Sequence, residues 1–264
     1  MSIPPAAPTP PAAMKIPLII RLVIGIGGAF FALFIVTILG FALTGRYVVG
    51  SGTAKSESRH VAGFTRVALE GEGSLTIQQT GTESLTIEAD DNIVSLITSD
   101  VRNGLLTLST SNITPPFSFI FPRQPIHYVL TVKDLSDLTI AGSGSVTMDA
   151  LATAHLAVGI FGSGSLSVQH LATTTLNATI AGSGDIRFAG QTQTQTIVID
   201  GSGSYHGGNL ASDQATIEVN GSGNVAVTVA NALTVNIAGS GSVTYCGNPT
   251  LTQRVEGSGS IDHC

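Results

Sequence analysis

The sequence contains no tryptophan, only two cysteines and little charge, since Asp, Glu, Lys and Arg make up 11% of its 264 residues. All 17 acidic residues follow Tyr47, whereas three of the 11 basic residues precede it, so the later part is strongly acidic. An acidic surface of this kind repels nucleic acid, and we expect no nucleic-acid partner. The 31 glycines and the frequent Ser and Thr residues indicate a β-rich protein rather than a helical enzyme.

The first 44 residues differ in composition from the rest. Residues 1–15 are rich in Pro and Ala and cannot bury a core, so we expect a disordered tail. Residues 16–44 are almost entirely apolar, with Arg21 as their charged residue, and are long enough to cross about 30 Å of hydrocarbon. They predict a transmembrane helix that acts as a signal anchor. A cleaved signal peptide is the alternative, but its apolar region is usually only about 7–15 residues long.

The charges around this segment bear on its orientation. Lys15 and Arg21 precede its uncharged stretch, residues 22–43, and Arg46, Lys55, Arg59 and Arg66 follow it. By the positive-inside rule the later ones argue against a cytoplasmic N-terminus, but long domains often translocate regardless of such charge. We therefore expect a single-pass membrane protein with its tail inside. A polar linker (residues 45–60) would then lead to a head domain (residues 61–264) on the other side of the membrane.

Seven Gly-Ser-Gly triplets dominate the head domain, and they recur every 18 to 20 residues, which is too regular for a flexible linker. Apolar residues alternate with polar ones on both sides of each triplet, as in Leu138-Thr139-Ile140 before the first and Val146-Thr147-Met148 after it. Each coil thus carries two or three strands with one buried face and no helical period. The pattern predicts an all-β fold, a right-handed parallel β-helix, that is, a β-solenoid with coils of about 18–20 residues.

The triplets themselves predict structure rather than ligand binding. A corner in every coil needs positive φ or very close backbone approach, which glycine allows. Phosphate-binding loops need a following helix, and here a strand follows each triplet; calcium-binding repeats need an Asp in every turn. We expect no cofactor, metal site or catalytic residue. The predicted turn glycines are Gly142, Gly144, Gly162, Gly164, Gly182, Gly184, Gly201, Gly203, Gly221, Gly223, Gly239, Gly241, Gly257 and Gly259.

The segments SRHVAGFTRVALEGEGSLTIQQ and SLTIEADDNIVSLITSDVRNGLLTLS, followed by DLTIAGSGSV-type coils, resemble the head GIN domain of putative autotransporter adhesins. The resemblance covers roughly residues 58–264. It implies a β-helical domain in the bacterial cell envelope, and it carries no established catalytic residue. The N-terminal tail and long apolar segment depart from the plain secretion signal of the family's usual layout, so we expect an anchored rather than a secreted protein. Together with the resemblance, this implies the bacterial inner membrane, with the head domain in the periplasm or outside the cell.

The two cysteines stand one coil apart. Cys246 and Cys264 each lie seven residues after the start of their triplet. Equivalent positions in adjacent coils stack about 4.8 Å apart, which is within disulfide range. We predict a bridge between them that clamps the last coil, as suits an oxidising compartment.

Three functions fit this sequence. The first is a non-enzymatic, adhesin-like binding or structural module that presents a polar β-helix face to glycans or envelope proteins. The second is a polysaccharide-active enzyme, for which Asp149, Arg187 and His206 are the candidate residues. The third is an envelope-sensing scaffold subunit. We favour the first. The C-terminal coil lacks an obvious polar cap, so we expect unpaired backbone groups there. Unpaired strand edges favour self-association or docking of a partner.

Overall fold

The structure is a computed structural model that describes residues 46–110 and 118–264. The predicted tail (residues 1–15) and the predicted transmembrane helix (residues 16–44) lie outside the described residues. Within the described part of the chain, no helix has the length and apolar character needed to cross a bilayer.

The described residues form strands and one short 3-10 turn, Val94–Leu96. The strands are β1 (Arg46–Val49), β2 (Ala54–Arg59), β3 (Arg66–Gly71), β4 (Ser74–Gln79), β5 (Ser84–Asp90), β6 (Thr98–Arg102), β7 (Leu105–Ser109), β8 (Ser118–Phe121), β9 (His127–Val132), β10 (Asp137–Gly142), β11 (Ser145–Gly162), β12 (Ser165–Gly182), β13 (Asp185–Gly201), β14 (Ser204–Gly221), β15 (Asn224–Gly239), β16 (Ser242–Cys246), β17 (Thr250–Gly257) and β18 (Ser260–His263).

Strands β10 to β18 build a β-solenoid of about six turns, in agreement with the predicted all-β fold. Each long strand pairs in parallel with the next, so that equivalent residues of successive coils lie side by side. The first glycines of the triplets form one such row, from Gly142 beside Gly162 to Gly239 beside Gly257. The sequence period therefore equals the structural period, because one coil is one repeat.

Columns of aliphatic side chains fill the interior. The strands that lead into the first six triplets contribute one column in which every member is at most 2% exposed, made of Ile140, Ile160, Ile180, Ile199, Val219 and Ile237. Branched side chains suit this position because they pack well against like neighbours on a pleated surface. Further columns, such as Leu151 with Leu171, complete a core that runs the length of the solenoid.

The N-terminal end of the solenoid is closed by a change of strand direction. Strands β7 and β9 still run parallel to their neighbours β3 and β4. Antiparallel strands then cover them, with β6 on β7, β5 on β9 and β2 on β5. This arrangement ends the parallel repeat, because the outermost strands at this end, β2 and β6, run antiparallel to the strands that they cover.

One more coil precedes those identified from the triplets. Gly71 pairs with Gly142, and the amide of Ser145 donates a hydrogen bond to the oxygen of Gly73, so Gly71-Glu72-Gly73 occupies the place of a triplet. Glu stands where the later coils have Ser, which is why counting Gly-Ser-Gly misses this coil. The glycines at either side preserve the corner.

Two segments contain strands that the sequence does not indicate. The residues assigned to the linker contain β1 and all of β2, and β2 pairs with β5 along its whole length. Ser56, Glu57 and Ser58 are all polar, so this strand lacks the alternation of apolar and polar residues that marks a strand with one buried face. Its side chains are polar because the strand lies at the end of the sheet. Residues 113–125 contain four prolines, which suit a loop better than a strand, yet this region includes β8, which pairs with β1 in a separate two-stranded sheet.

Candidate interaction face

The first glycine of each triplet adopts a backbone conformation that other residues rarely reach. The φ angle is +126° at Gly142 and +133° at Gly221. A Cβ atom at Gly182 would lie 2.4 Å from the backbone oxygen of Gly162 in the preceding coil. Both the angle and the close approach require glycine, so this residue serves the corner of the coil rather than a ligand.

The third residue of each triplet is glycine for a steric reason alone. Its φ lies outside the left-handed region, but a Cβ atom at Gly184 would lie 2.5 Å from Cγ2 of Ile160 and 2.8 Å from the oxygen of Gly164. This close approach lets the aliphatic column pack directly beneath the corner. The backbone ladder continues through it, because the amide of Asp185 donates to the oxygen of Gly164 at 3.0 Å.

A second corner, which the sequence analysis did not identify, is made by hydroxyl groups. Thr173 Oγ1 donates to the backbone oxygen of Ala154 at 3.2 Å, and Thr192 Oγ1 donates to that of Thr174 at 3.3 Å. These hydroxyls satisfy carbonyl groups of the preceding coil at a point where the strands bend. The signal in the sequence is a hydroxyl residue repeated once per coil, at Thr153, Thr173, Thr192 and Ser212.

The two cysteines lie at the end of the solenoid. Cys246 and Cys264 are joined through their Sγ atoms, with their Cα atoms 5.2 Å apart. Beside them the ring of His263 packs edge-on against that of Tyr245, with 5.0 Å between centroids, and His263 Nε2 lies 2.7 Å from the oxygen of Gly247. These contacts attach β18 to β16.

The residues considered for catalysis are spread over an open surface. Arg187 and His206 are direct neighbours on β13 and β14. Asp149, however, lies on β11 and faces His170, with 3.5 Å between its Oδ1 and the histidine Nδ1. The side chains of Asp149 and His170 are 90% and 75% exposed, so this surface offers no enclosed site in which to activate water.

The strand segment that leads into each triplet presents a flat outer surface, which we call the pre-triplet face. Its residues stand in three columns because the register between coils is unbroken here. The columns are Asn177, Thr196, Thr216, Thr234 and Thr252; Gly159, Thr179, Val198, Glu218, Asn236 and Arg254; and Phe161, Ala181, Asp200, Asn220, Ala238 and Glu256.

Phe161 is the exposed aromatic side chain of this face. It is 50% exposed, and a Cβ atom at Gly159 would lie 2.9 Å from its Cε2 atom. The ring therefore covers Gly159, where the neighbouring coils have Thr139 and Thr179. The missing side chain at Gly159 makes room for an aromatic surface beside hydroxyl groups.

Further along the same face lies a shallow depression of about 310 Å³. Its floor and walls combine amide, carboxylate and guanidinium groups from three successive coils. Asn220 Nδ2 donates to Asp200 Oδ1 at 2.9 Å and to Glu218 Oε1 at 3.1 Å, which holds these side chains in position. The residues around it are Glu218, Asn220, Asn236, Ile237, Ala238, Arg254 and Glu256.

A larger depression of about 420 Å³ lies at the second corner, beside Gln191, Gln193 and Asp213. Its hydroxyl groups, Thr192 and Ser212, already donate to backbone carbonyls of the fold. We therefore regard the pre-triplet face as the better candidate. Within residues 46–110 and 118–264, no group of three or more His, Cys, Asp or Glu side chains is placed to hold a metal ion.

Comparison with known proteins gives a family match over most of the chain. Residues 63–249 match the family described as "Putative auto-transporter adhesin, head GIN domain". The description names an adhesin and no enzymatic activity. No curated protein matches the chain.

Solved structures share the fold. A putative adhesin from Bacteroides fragilis superposes with a TM-score of 0.75 at 24% identity, covering 82% of this chain and 100% of that one. A putative adhesin from Parabacteroides distasonis gives 0.65 at 21% identity, over 83% and 100% of the two chains. A putative lipid binding protein from the same organism gives 0.68 at 20% identity, again over 83% and 100%.

Proposed function

The chain belongs to the family described as "Putative auto-transporter adhesin, head GIN domain", and from this premise we propose that it is a non-catalytic, membrane-anchored domain that binds glycans through the pre-triplet face. Membership of an adhesin-like family indicates the cell envelope.

The position of Phe161 above Gly159 is the observation that carries the choice of ligand. An exposed aromatic ring can pack against the C–H groups on one side of a sugar ring, through dispersion and the negative potential of its face. Hydroxyl, amide and carboxylate groups in the adjacent columns supply hydrogen bonds for sugar hydroxyls. Phe161 and Asn220 are three coils apart in one column, about 14 Å at 4.8 Å per strand, which suits an extended chain along the solenoid axis.

Each of these contacts is weak, and the face has no deep pocket. Binding therefore depends on several sugar units that contact successive coils, and on many copies of the head domain on one surface. Linked weak contacts of this kind bind more tightly together than singly, because each bound unit raises the effective concentration of the next. A rigid register favours this mode, since the groups are held in place before the ligand arrives.

The sequence supports the anchor. Residues 16–44 suit a single crossing of the bilayer, which would keep the head domain at the membrane that exports it. A disulfide near the C-terminus suits placement of this domain outside the cytoplasm.

The test is glycan-array binding by the full-length chain in lipid nanodiscs. Phe161→Ala should weaken binding of the preferred glycans several-fold, since it removes the stacking surface. Val129→Ala is the control, because Val129 is also an exposed apolar residue, at 43%, but lies on β9, outside the pre-triplet face. Equal loss in both variants, or binding unaffected by Phe161→Ala, would contradict the proposed face, and binding to proteins instead of glycans would contradict the ligand class.

We also propose that a second copy docks at the C-terminal coil. Among the described residues, β17 pairs with β15 and β18 pairs with β16, and each has one free edge. Since the outermost strands at the N-terminal end run antiparallel to their neighbours and do not match the parallel C-terminal coil, we take the partner edge to be the same coil of a second molecule, related by a two-fold axis. Sedimentation of the chain in detergent tests this: a dimer that dissociates on dilution is expected, and a monomer at every concentration overturns it.

A further inference from the structure

The two-stranded sheet of β1 and β8, which we call the ribbon, is apolar on both sides. Val48 and Ile120 pack against the solenoid core. The opposite side exposes Tyr47 (52%), Val49 (50%) and Phe121 (52%). The rings of Tyr47 and Phe121 stack with 6.2 Å between centroids, so this side forms one continuous apolar patch rather than scattered residues.

A buried carboxylate fixes the ribbon to the solenoid. Asp90 is fully buried and accepts hydrogen bonds from the backbone amides of Gly52 at 2.6 Å, Arg123 at 2.9 Å and Gln124 at 3.0 Å. These amides follow β1 and β8, so one side chain holds both connections. Gly50 has no room for a side chain, because a Cβ atom there would lie 2.2 Å from Asp90 Oδ2.

Further hydrogen bonds join the same parts. The amide of Gly50 donates to the oxygen of Phe121 at 2.9 Å, and Asn92 Nδ2 donates to the oxygen of Val49 at 2.8 Å. The ribbon is therefore a rigid extension of the head domain. The exposed patch keeps a fixed orientation relative to the solenoid.

The chain places this patch close to the membrane. The predicted transmembrane segment ends at residue 44, and three residues can span at most roughly 10 Å to Tyr47. The headgroup region on each side of the hydrocarbon is roughly 5 to 8 Å thick. Tyr47 thus lies within reach of the zone where tyrosine and other aromatic residues concentrate in membrane proteins. The exposed Arg123, two residues after Phe121, suits anionic headgroups there.

We propose that the outer side of the ribbon, formed by Tyr47, Val49 and Phe121, lies in the interfacial layer of the bilayer that the anchor crosses. This inference rests on the membrane anchor of the proposed function. It goes further in one respect, because it assigns a partner to the exposed patch. The lipid interface is the partner of the patch.

The absence of tryptophan allows a direct test. Phe121→Trp in the full-length chain gives a single fluorophore on the ribbon, and Phe161→Trp gives a matched one on the pre-triplet face, at 50% exposure in the wild type. Both variants are reconstituted into liposomes that carry lipids brominated near the headgroup or near the chain end. Tyr47→Trp serves as a second ribbon variant, should Phe121→Trp not fold.

We expect the emission of Phe121→Trp to shift to shorter wavelength in liposomes and to be quenched most by bromine near the headgroup. Phe161→Trp should show neither change. Equal quenching of the two variants in liposomes that retain the protein would overturn the inference while leaving the anchor intact. Failure of the protein to float with the liposomes after alkaline extraction would overturn the anchor and the inference together.

Discussion

The hydroxyl of Tyr205 donates a hydrogen bond of 2.8 Å to Oε1 of Gln195 inside the solenoid. Gln195 stands in an otherwise aliphatic column, beside Leu176, and is 1% exposed. Its Nε2 donates to Ser212 Oγ at 2.8 Å, so both ends of the amide are satisfied. The Tyr205 ring fits because Gly207 lacks a side chain: a Cβ atom there would lie 2.5 Å from Tyr205 Cε1. Burial raises the pKa of Tyr205 well above its ordinary value, so it remains a donor.

This pair should behave as a unit in stability measurements. Gln195→Leu alone leaves the Tyr205 hydroxyl buried without its acceptor, and Tyr205→Phe alone leaves the amide oxygen without its donor. Each should cost about 1–3 kcal/mol in the free energy of unfolding. The double variant should cost less than the sum, which denaturant titration of all four proteins can show. Strict additivity would mean that the bond contributes nothing.

The two triplet glycines should respond differently to alanine. Gly182→Ala forces positive φ on an alanine and a contact with the oxygen of Gly162, so we expect a loss of about 1–3 kcal/mol from backbone strain alone. Gly184→Ala meets the Cγ2 of Ile160, so Ile160→Ala in the same chain should partly relieve it. Thermal unfolding followed by circular dichroism measures both. Ser183→Ala, at an exposed site between them, is the control.

Asp90 should stabilise the head domain in a pH-dependent way. Burial alone would raise the pKa of this carboxyl, but hydrogen bonds from the amides of Gln124, Gly52 and Arg123 outweigh burial and hold it below the ordinary value. Its contribution is therefore complete above the ordinary aspartate pKa and is lost as the pH falls through the lowered pKa of the folded state. Asp90→Asn should lower the melting temperature at neutral pH, and the gap to the wild type should close in acid. A constant gap across pH would contradict this role.

The disulfide should secure the terminal coil and little else. Cross-linking residues 18 positions apart is expected to contribute about 3 kcal/mol by constraining the unfolded chain. With Cys246→Ser and Cys264→Ser combined, we expect faster hydrogen exchange in β17 and β18, while β11 to β14 stay protected. Peptide mapping of non-reduced protein should recover one cross-linked pair, and two alkylatable thiols would refute the pairing.

The repeating part of the fold is predictable because the pattern of glycine and apolar residues is nearly the same in every coil. Gly142 recurs as glycine in the later coils, and Val146 recurs as an aliphatic residue in all of them but one, where Tyr205 stands, so the period alone gives the coil length and the inward columns. The handedness of the solenoid stays a prediction. Gln195 and Gly207 depart from this pattern. The ring of Tyr205 compensates for both, because it lies in the space beside Gly207 and donates a hydrogen bond to Gln195. The local sequence does not show this compensation, since it depends on contacts between coils.

The capping strands were harder to predict for a physical reason. β2 and β5 pair antiparallel over a long sequence separation, and β2 is polar because it covers the end of the sheet, so no period or apolar run marks it. The candidate site has the same difficulty. The exposed position of Phe161 follows from Gly159, and a lone exposed phenylalanine carries no signal in the sequence.

The location of the head domain is the claim on which glycan binding and membrane contact both depend. Dual reporter fusions after Cys264 measure it directly, with alkaline phosphatase active only outside the cytoplasm and green fluorescent protein, exported unfolded, fluorescent only inside it. We predict high phosphatase activity and no fluorescence, with a fusion at residue 14 showing the reverse. Fluorescence from the C-terminal fusion would contradict the account.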